Sequence, residues 1–118
     1  MHQEGKTEEL KNDYSKALFY YKKAVENGYM DSYTSIGFMY YNGNGVEKNY
    51  QKAFMNFKKA ADHDVAFGCY TTGLCYEEGI GTDIDKSKAL KYFKQADKLG
   101  YTEAKEKLKK YDQSWDIL

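Results

Sequence analysis

The sequence predicts an all-α solenoid assembled from 36-residue helix pairs, and three observations predict it. One segment is written three times: DYSKALFYYKKAVENGY from Asp13, NYQKAFMNFKKAADHDV from Asn49 and DKSKALKYFKQADKLGY from Asp85, each start 36 residues after the last with no insertion or deletion. Within each copy the apolar residues fall on one helical stripe. Between copies lies a second helical segment that ends in a glycine-rich turn. A unit of this length is one helix pair that cannot bury its apolar face alone and does so by stacking on its neighbours.

Composition sets the bounds. The 118 residues suit one domain, and with 42% hydrophobic and 17% aromatic residues the chain can build a packed core. Eighteen lysines balance eighteen acids, and arginine is absent. The chain therefore offers neither a net basic field nor the bidentate fork that reads phosphates and guanine edges, so nucleic acid is not an expected partner. No apolar run approaches the roughly 18 residues of a membrane span, so no membrane partner is expected either. The opening MHQEGKTEELKND has no apolar signal core, which makes the cytoplasm the expected location.

Residues 1–12 read as the remnant of a repeat. His2-Gln-Glu-Gly5 can be laid on Tyr40 to Gly43 and on Tyr76 to Gly79, but Gly5 stands eight residues before Asp13, whereas Gly43 and Gly79 stand six before Asn49 and Asp85. The first unit thus lacks its first helix. Its amino-terminal face is left under-covered, which offers that end for self-association. The repeat units follow as 13–28, 29–64 and 65–100, with a capping helix and tail over 101–118.

In each copy of the repeated segment, here helix B, the side chains of Asp13, Asn49 and Asp85 are placed to accept hydrogen bonds from first-turn amides. The stripe Ala17, Leu18, Tyr21, Ala24, Val25 recurs as Ala53, Phe54, Phe57, Ala60, Ala61 and as Ala89, Leu90, Phe93, Ala96, Asp97. Gly28 and Gly100 supply a left-handed stop, and Asp64 takes that place in the middle copy. Helix A begins at Ser32 and again at Gly68, with a degenerate copy from Ala104. A glycine inside a helix costs about 1 kcal/mol against alanine, so the recurrence of Gly37 as Gly73 implies a neighbour packed against it. Gly43-Asn-Gly45 and Gly79-Ile-Gly81 turn the chain back. The last copy has lost these glycines and reads as a solvated cap.

The order Ile36-Gly37-x-x-Tyr40-x-x-Gly43-x-Gly45-Val46, then Asn49-x-x-Lys52-Ala53 and Phe57-x-Lys59-Ala60-Ala61, resembles the Sel-1-like repeat, a relative of the tetratricopeptide repeat. Gly73, Tyr76, Gly79, Gly81, Asp85, Lys88-Ala89, Phe93 and Ala96 repeat the match. It covers about residues 13–112 and departs at Thr72, where the pattern prefers Leu, at Asp64, where it prefers Gly, and at Asp97, where it prefers Ala. The resemblance implies a right-handed α/α superhelix of about six helices (B, A, B, A, B and a cap) whose A helices line the concave side of an adaptor or scaffold for other proteins.

No motif points to catalysis, a cofactor or a metal. The Gly-x-Gly turns lack the strand and the Gly-Lys-Ser/Thr of a phosphate loop. Asp83-x-Asp85-x-Ser87 begins like a calcium loop, but Lys88 and Lys94 stand where that loop needs Gly and Glu. His2 and His63 have no ligand spacing. Cys69 and Cys75, on one helix, would lie ~9 Å apart along its axis and on different faces, beyond disulfide reach, and read as reduced thiols. Cysteine-rich relatives of the repeat family associated with penicillin binding or hydrolysis carry a cysteine pair per repeat. Here Cys69 falls on its second member but Ala61 on its first, and Ser-x-x-Lys is absent.

Carrying the tetratricopeptide concave positions over places Asp31, Thr34, Phe38, Tyr41 and Asn42 on that face from one unit, and Phe67, Tyr70, Leu74, Glu77 and Glu78 from the next. On a helical wheel Thr34, Phe38 and Tyr41 fall within ~60° of one another. The expected site is an aromatic groove edged by acids, binding a protein or peptide segment without chemistry. The alternative for Phe38 and Leu74 is packing between adjacent A helices. A dedicated inhibitor or immunity-type binder is the alternative role, and a small penicillin-binding or β-lactamase-like enzyme a more remote one.

Overall fold

Alternating apolar stripes and glycine turns fold the described residues into six α-helices: α1 (His2–Glu26), α2 (Ser32–Asn42), α3 (Tyr50–Asp62), α4 (Ala66–Glu78), α5 (Lys86–Lys98) and α6 (Glu103–Ile117). The structure is a computed structural model that describes residues 2–117, with side chains placed for 14–111. Among the described residues there is no strand. Helices α3 and α5 are B helices, and α2, α4 and α6 are A helices.

The caps of α3 and α5 are as the sequence predicts. Asn49 accepts from the Lys52 amide at 2.9 Å and Asp85 from the Lys88 amide at 3.0 Å. These replace partners that first-turn amides lack, each worth about 1 kcal/mol. Ahead of the caps, α2 and α4 end on Gly43 (φ 71°) and Gly79 (φ 75°), whose amides return to the Met39 and Cys75 carbonyls at 2.8 Å. Left-handed backbone of this kind is nearly free for glycine alone.

Asp13 is a correction. The first helix starts at His2 and runs through Asp13, which is helical backbone and not an N-cap. No Gly-x-Gly turn follows Gly5, and the intervening KTEELK is made largely of good helix formers, so a lone glycine costing about 1 kcal/mol does not stop the helix.

The core lies between A and B helices. Phe57 and Phe93 are 2% and 0% exposed, and the alanines Ala53, Ala60, Ala89 and Ala96 are fully buried around them. Burying a phenylalanine contributes about 1.5–3 kcal/mol. The two rings sit on the internal glycines: a Cβ on Gly37 would meet Phe57 Cε1 at 2.5 Å, and one on Gly73 would meet Phe93 Cε1 at 2.6 Å. The recurrent glycines are therefore there to admit an aromatic edge. Thr72 is fully buried without cost, because its hydroxyl donates to the Gly68 carbonyl at 2.7 Å.

Asp64 holds the left-handed turn after α3 with φ 59°. It supplies a carboxylate that glycine lacks, to which Gln95 on α5 donates from Nε2 at 3.0 Å, beside a bond from the same nitrogen to the Ala61 carbonyl at 3.3 Å. The departure from glycine ties the end of one B helix to the next.

Candidate partner-binding face

Phe38 and Tyr41 stand on α2, and Phe67, Tyr70 and Leu74 on α4, with a ring contact joining the two helices. Phe38 is half-buried, its ring edge-on to Phe57 at 4.9 Å, stacked on Phe67 at 5.7 Å and 6.3 Å from Tyr41. Phe67, 38% exposed, continues to Tyr101 at 5.5 Å, and Tyr101 to Tyr70 at 4.8 Å. Tyr41 faces Tyr50 at 5.3 Å. Phe38 and Phe67 thus pack between adjacent A helices and still keep surface open, so packing and exposure coexist.

Not every expected residue is available. Thr34 is buried, and its hydroxyl donates to the Asp31 carbonyl, so it is not part of the open surface. Asp31 and Asn42 are exposed at the two ends of α2. Glu77 is engaged by α6: Lys107 Nζ donates to Oε1 at 2.6 Å and the Tyr111 hydroxyl to Oε2 at 3.0 Å. Burial pushes the Glu77 carboxyl up, but those two hydrogen bonds and the Lys107 and Lys86 charges outweigh it and hold it below the ordinary value. Glu78, one residue on, is exposed and in no ion pair among the described residues.

Between α2 and α4 the face opens into a cavity of about 160 Å³, lined by Phe38, Tyr41, Phe57, Leu74, Cys75 and Ile80, with Thr71 in its wall and Glu78 at its edge. The expected set includes Phe38, Tyr41, Leu74 and Glu78 of this lining and lacks Phe57, Thr71, Cys75 and Ile80. The 36-residue register holds the missing signal, since Thr71 and Cys75 are small where the next unit has Lys107 and Tyr111.

Neither thiol is poised for chemistry. Burial pushes Cys69 up to about 11 and Cys75 up to about 12, with nearby carboxylates adding to both. Both are free and buried, and among the described residues no cluster of His, Cys, Asp or Glu could hold a metal ion. No helix among the described residues is long and apolar enough to cross a membrane.

Helix pairs in one 36-residue frame with a shared aromatic face define an α/α solenoid. The Sel1 repeat model matches residues 1–29, 31–65 and 66–101, and the chain belongs to the Sel1 repeat family. Among solved structures it is similar to a Sel1 repeat protein from Oxalobacter formigenes, with TM-score 0.78 and 30% identity over 80% of this chain and 38% of that one. It is also similar to c5321, a protective antigen of uropathogenic Escherichia coli with this repeat fold (TM-score 0.66, 32% identity, 70% of this chain and 18% of that one). Helicobacter pylori cysteine rich protein B matches with TM-score 0.69 and 30% identity over 72% of this chain and 64% of that one. The chain therefore spans less than two thirds of the length of each. None of the curated proteins compared matches it. Proteins with Sel1 repeats are generally protein–protein interaction scaffolds without enzymatic activity.

Proposed function

We propose that this chain is a non-enzymatic adaptor that binds a protein or peptide segment on the face shared by α2 and α4. The observation that carries the reading is the α2–α4 cavity, walled by rings that their neighbours hold in place. Pre-positioned aromatic side chains give large contact area at little entropic cost, the property that makes a few residues dominate an interface. Phe38, Tyr41, Phe67, Tyr70 and Leu74 are the contact residues of this reading, with Asn42 and Glu78 at its polar edge. Glu77 orders α6 instead of meeting the partner directly.

The test is affinity capture on the parent chain, identification of the bound protein by mass spectrometry, and titration of that protein against variants. Tyr41→Ala and Tyr70→Ala are each expected to weaken binding about 30-fold, ~2 kcal/mol, with folding retained. Lys22→Ala, Lys58→Ala and Lys94→Ala, on the B helices, are expected to leave it unchanged. The opposite pattern would place the binding surface on the B-helix side.

A second reading, association of copies through α1, is favoured by Phe19 and Tyr20, which are 57% and 65% exposed on that helix. Size-exclusion chromatography with light scattering tests it. A dimer that reverts to monomer in Phe19→Ser with Tyr20→Ser supports it, and a parent that stays monomeric at all concentrations rejects it.

A further inference from the structure

The space beside Phe57 has a counterpart position one repeat later, where the chain carries larger side chains. Phe93 stands 36 residues after Phe57, Glu77 after Tyr41, Lys107 after Thr71 and Tyr111 after Cys75. In the later unit the Tyr111 ring lies 6.1 Å from the Phe93 ring, while its hydroxyl and the Lys107 ammonium engage Glu77. A phenyl-sized group packed on Phe93 and a cation on a glutamate thus occupy the positions that are small in the earlier unit. In the earlier unit a thiol and a short hydroxyl stand in place of those two side chains, and the cavity of about 160 Å³ between α2 and α4 stays open.

We propose that this cavity receives the ring of a phenylalanine from a partner segment, with a lysine or arginine of the same segment, within one helical turn, pairing with Glu78. The inference rests on the proposed binding face and names what that face selects. Size supports a phenyl group, since an apolar cavity of about 150 Å³ accommodates benzene. Chemistry favours phenylalanine over tyrosine. The glutamate that receives the Tyr111 phenol is replaced here by Tyr41, so no carboxylate stands at the position that fixes a phenol in the later unit. The cation follows from Glu78, exposed at the cavity edge and free of any ion pair among the described residues, whereas Glu77 is already paired.

The probe is the peptide acetyl-Gly-Phe-Gly-Lys-Gly-amide, titrated to millimolar concentration against isotope-labelled full chain and followed by amide chemical shifts. Expected are saturable shifts at Phe57, Thr71, Leu74 and Cys75, and their loss when alanine replaces the peptide's phenylalanine. Glu78→Gln, on the surface and without effect on packing, is expected to weaken the peptide about threefold at low salt and less at high salt. Cys75→Tyr, which reproduces the later unit's own filling, is expected to abolish the shifts while the rest of the spectrum stays dispersed. If that variant does not fold, the Glu78→Gln comparison and the alanine peptide still decide. Shifts confined to Asn42, Phe67 and Tyr70 would overturn the cavity and leave the face as the binding surface. Binding that is indifferent to the phenylalanine, or no shift anywhere, overturns the cavity proposal, and the captured-partner titrations then judge the face by themselves.

Discussion

Phe93 lies with its ring edge where a side chain on Gly73 would begin, 2.6 Å from an ideal Cβ at that position. Alanine at 73 gains about 1 kcal/mol of helix propensity and must displace a ring that is 0% exposed, at about 1–3 kcal/mol. Gly73→Ala is therefore expected to be net destabilising by about 1 kcal/mol and Gly73→Leu by more, read from urea melts. Adding Phe93→Leu should recover part of the loss, because the two sites share one contact. Equal melting of Gly73→Ala and parent would remove the packed crossing from the account.

Asp64 trades backbone comfort for a tie to Gln95. Asp64→Ala keeps the left-handed strain and loses the hydrogen bond, an expected cost of about 1–2 kcal/mol. Asp64→Gly loses the same bond and relieves the strain, so it should melt within about 0.5 kcal/mol of the parent. Should alanine and glycine prove equally harmful in chemical denaturation, the strain is not what separates them.

The Glu77 cluster gives stability a pH signature. The folded Glu77 carboxyl titrates below its ordinary value of 4.5, so its contribution is complete above that value and is lost as pH falls through the lower, folded one. On the alkaline side, burial and the bond to Glu77 push Tyr111 up to about 12 from 10.0, and the Glu77 hydrogen bond raises Lys107. Those contributions are complete below the ordinary values and fade as pH rises through the folded ones. Denaturant melts at pH 7 and pH 3 should show a smaller difference in Glu77→Gln than in the parent. An unchanged difference would mean that the cluster is not linked to folding.

Both thiols should resist alkylation in the native protein. With Cys69 pushed up to about 11 and Cys75 up to about 12, the thiolate fraction at pH 8 is on the order of one part in a thousand or less, and burial reduces access further. Iodoacetamide at pH 8 is expected to add nothing in minutes without denaturant and two groups in its presence, with no two-proton mass loss beforehand. Rapid native labelling of either residue would contradict its burial.

Where the repeat frame was intact the sequence was a good guide. Asn49 and Asp85 cap their helices, and Gly37 and Gly73 meet aromatic rings, because each constraint is local and is written twice. The exceptions share a cause. Asp13 depended on a turn after Gly5 that no second glycine supports, so helix propensity ran through it. Thr34 shares a wheel sector with Phe38 and Tyr41, but a wheel describes one axis and does not say what neighbouring helices cover. Glu77 looked like a rim acid because its partners, Lys107 and Tyr111, come from the degenerate last copy. The α2–α4 cavity arises from two residues being small, which no single position announces.

Consecutive helices pack on one another in chain order, and contacts beyond the nearest helix are few. Topology of this kind asks little of the search for structure: most native contacts close short loops, so the entropy spent before any burial is gained is small. Refolding should be rapid and should start in the middle, where α3, α4 and α5 enclose the fully buried residues, before spreading to both ends. In stopped-flow kinetics, Phe93→Leu should then slow refolding, whereas Val25→Ala, at the half-buried contact of α1, should chiefly hasten unfolding. Comparable slowing of refolding by both would mean that structure begins at the amino-terminal helix as readily as at the centre.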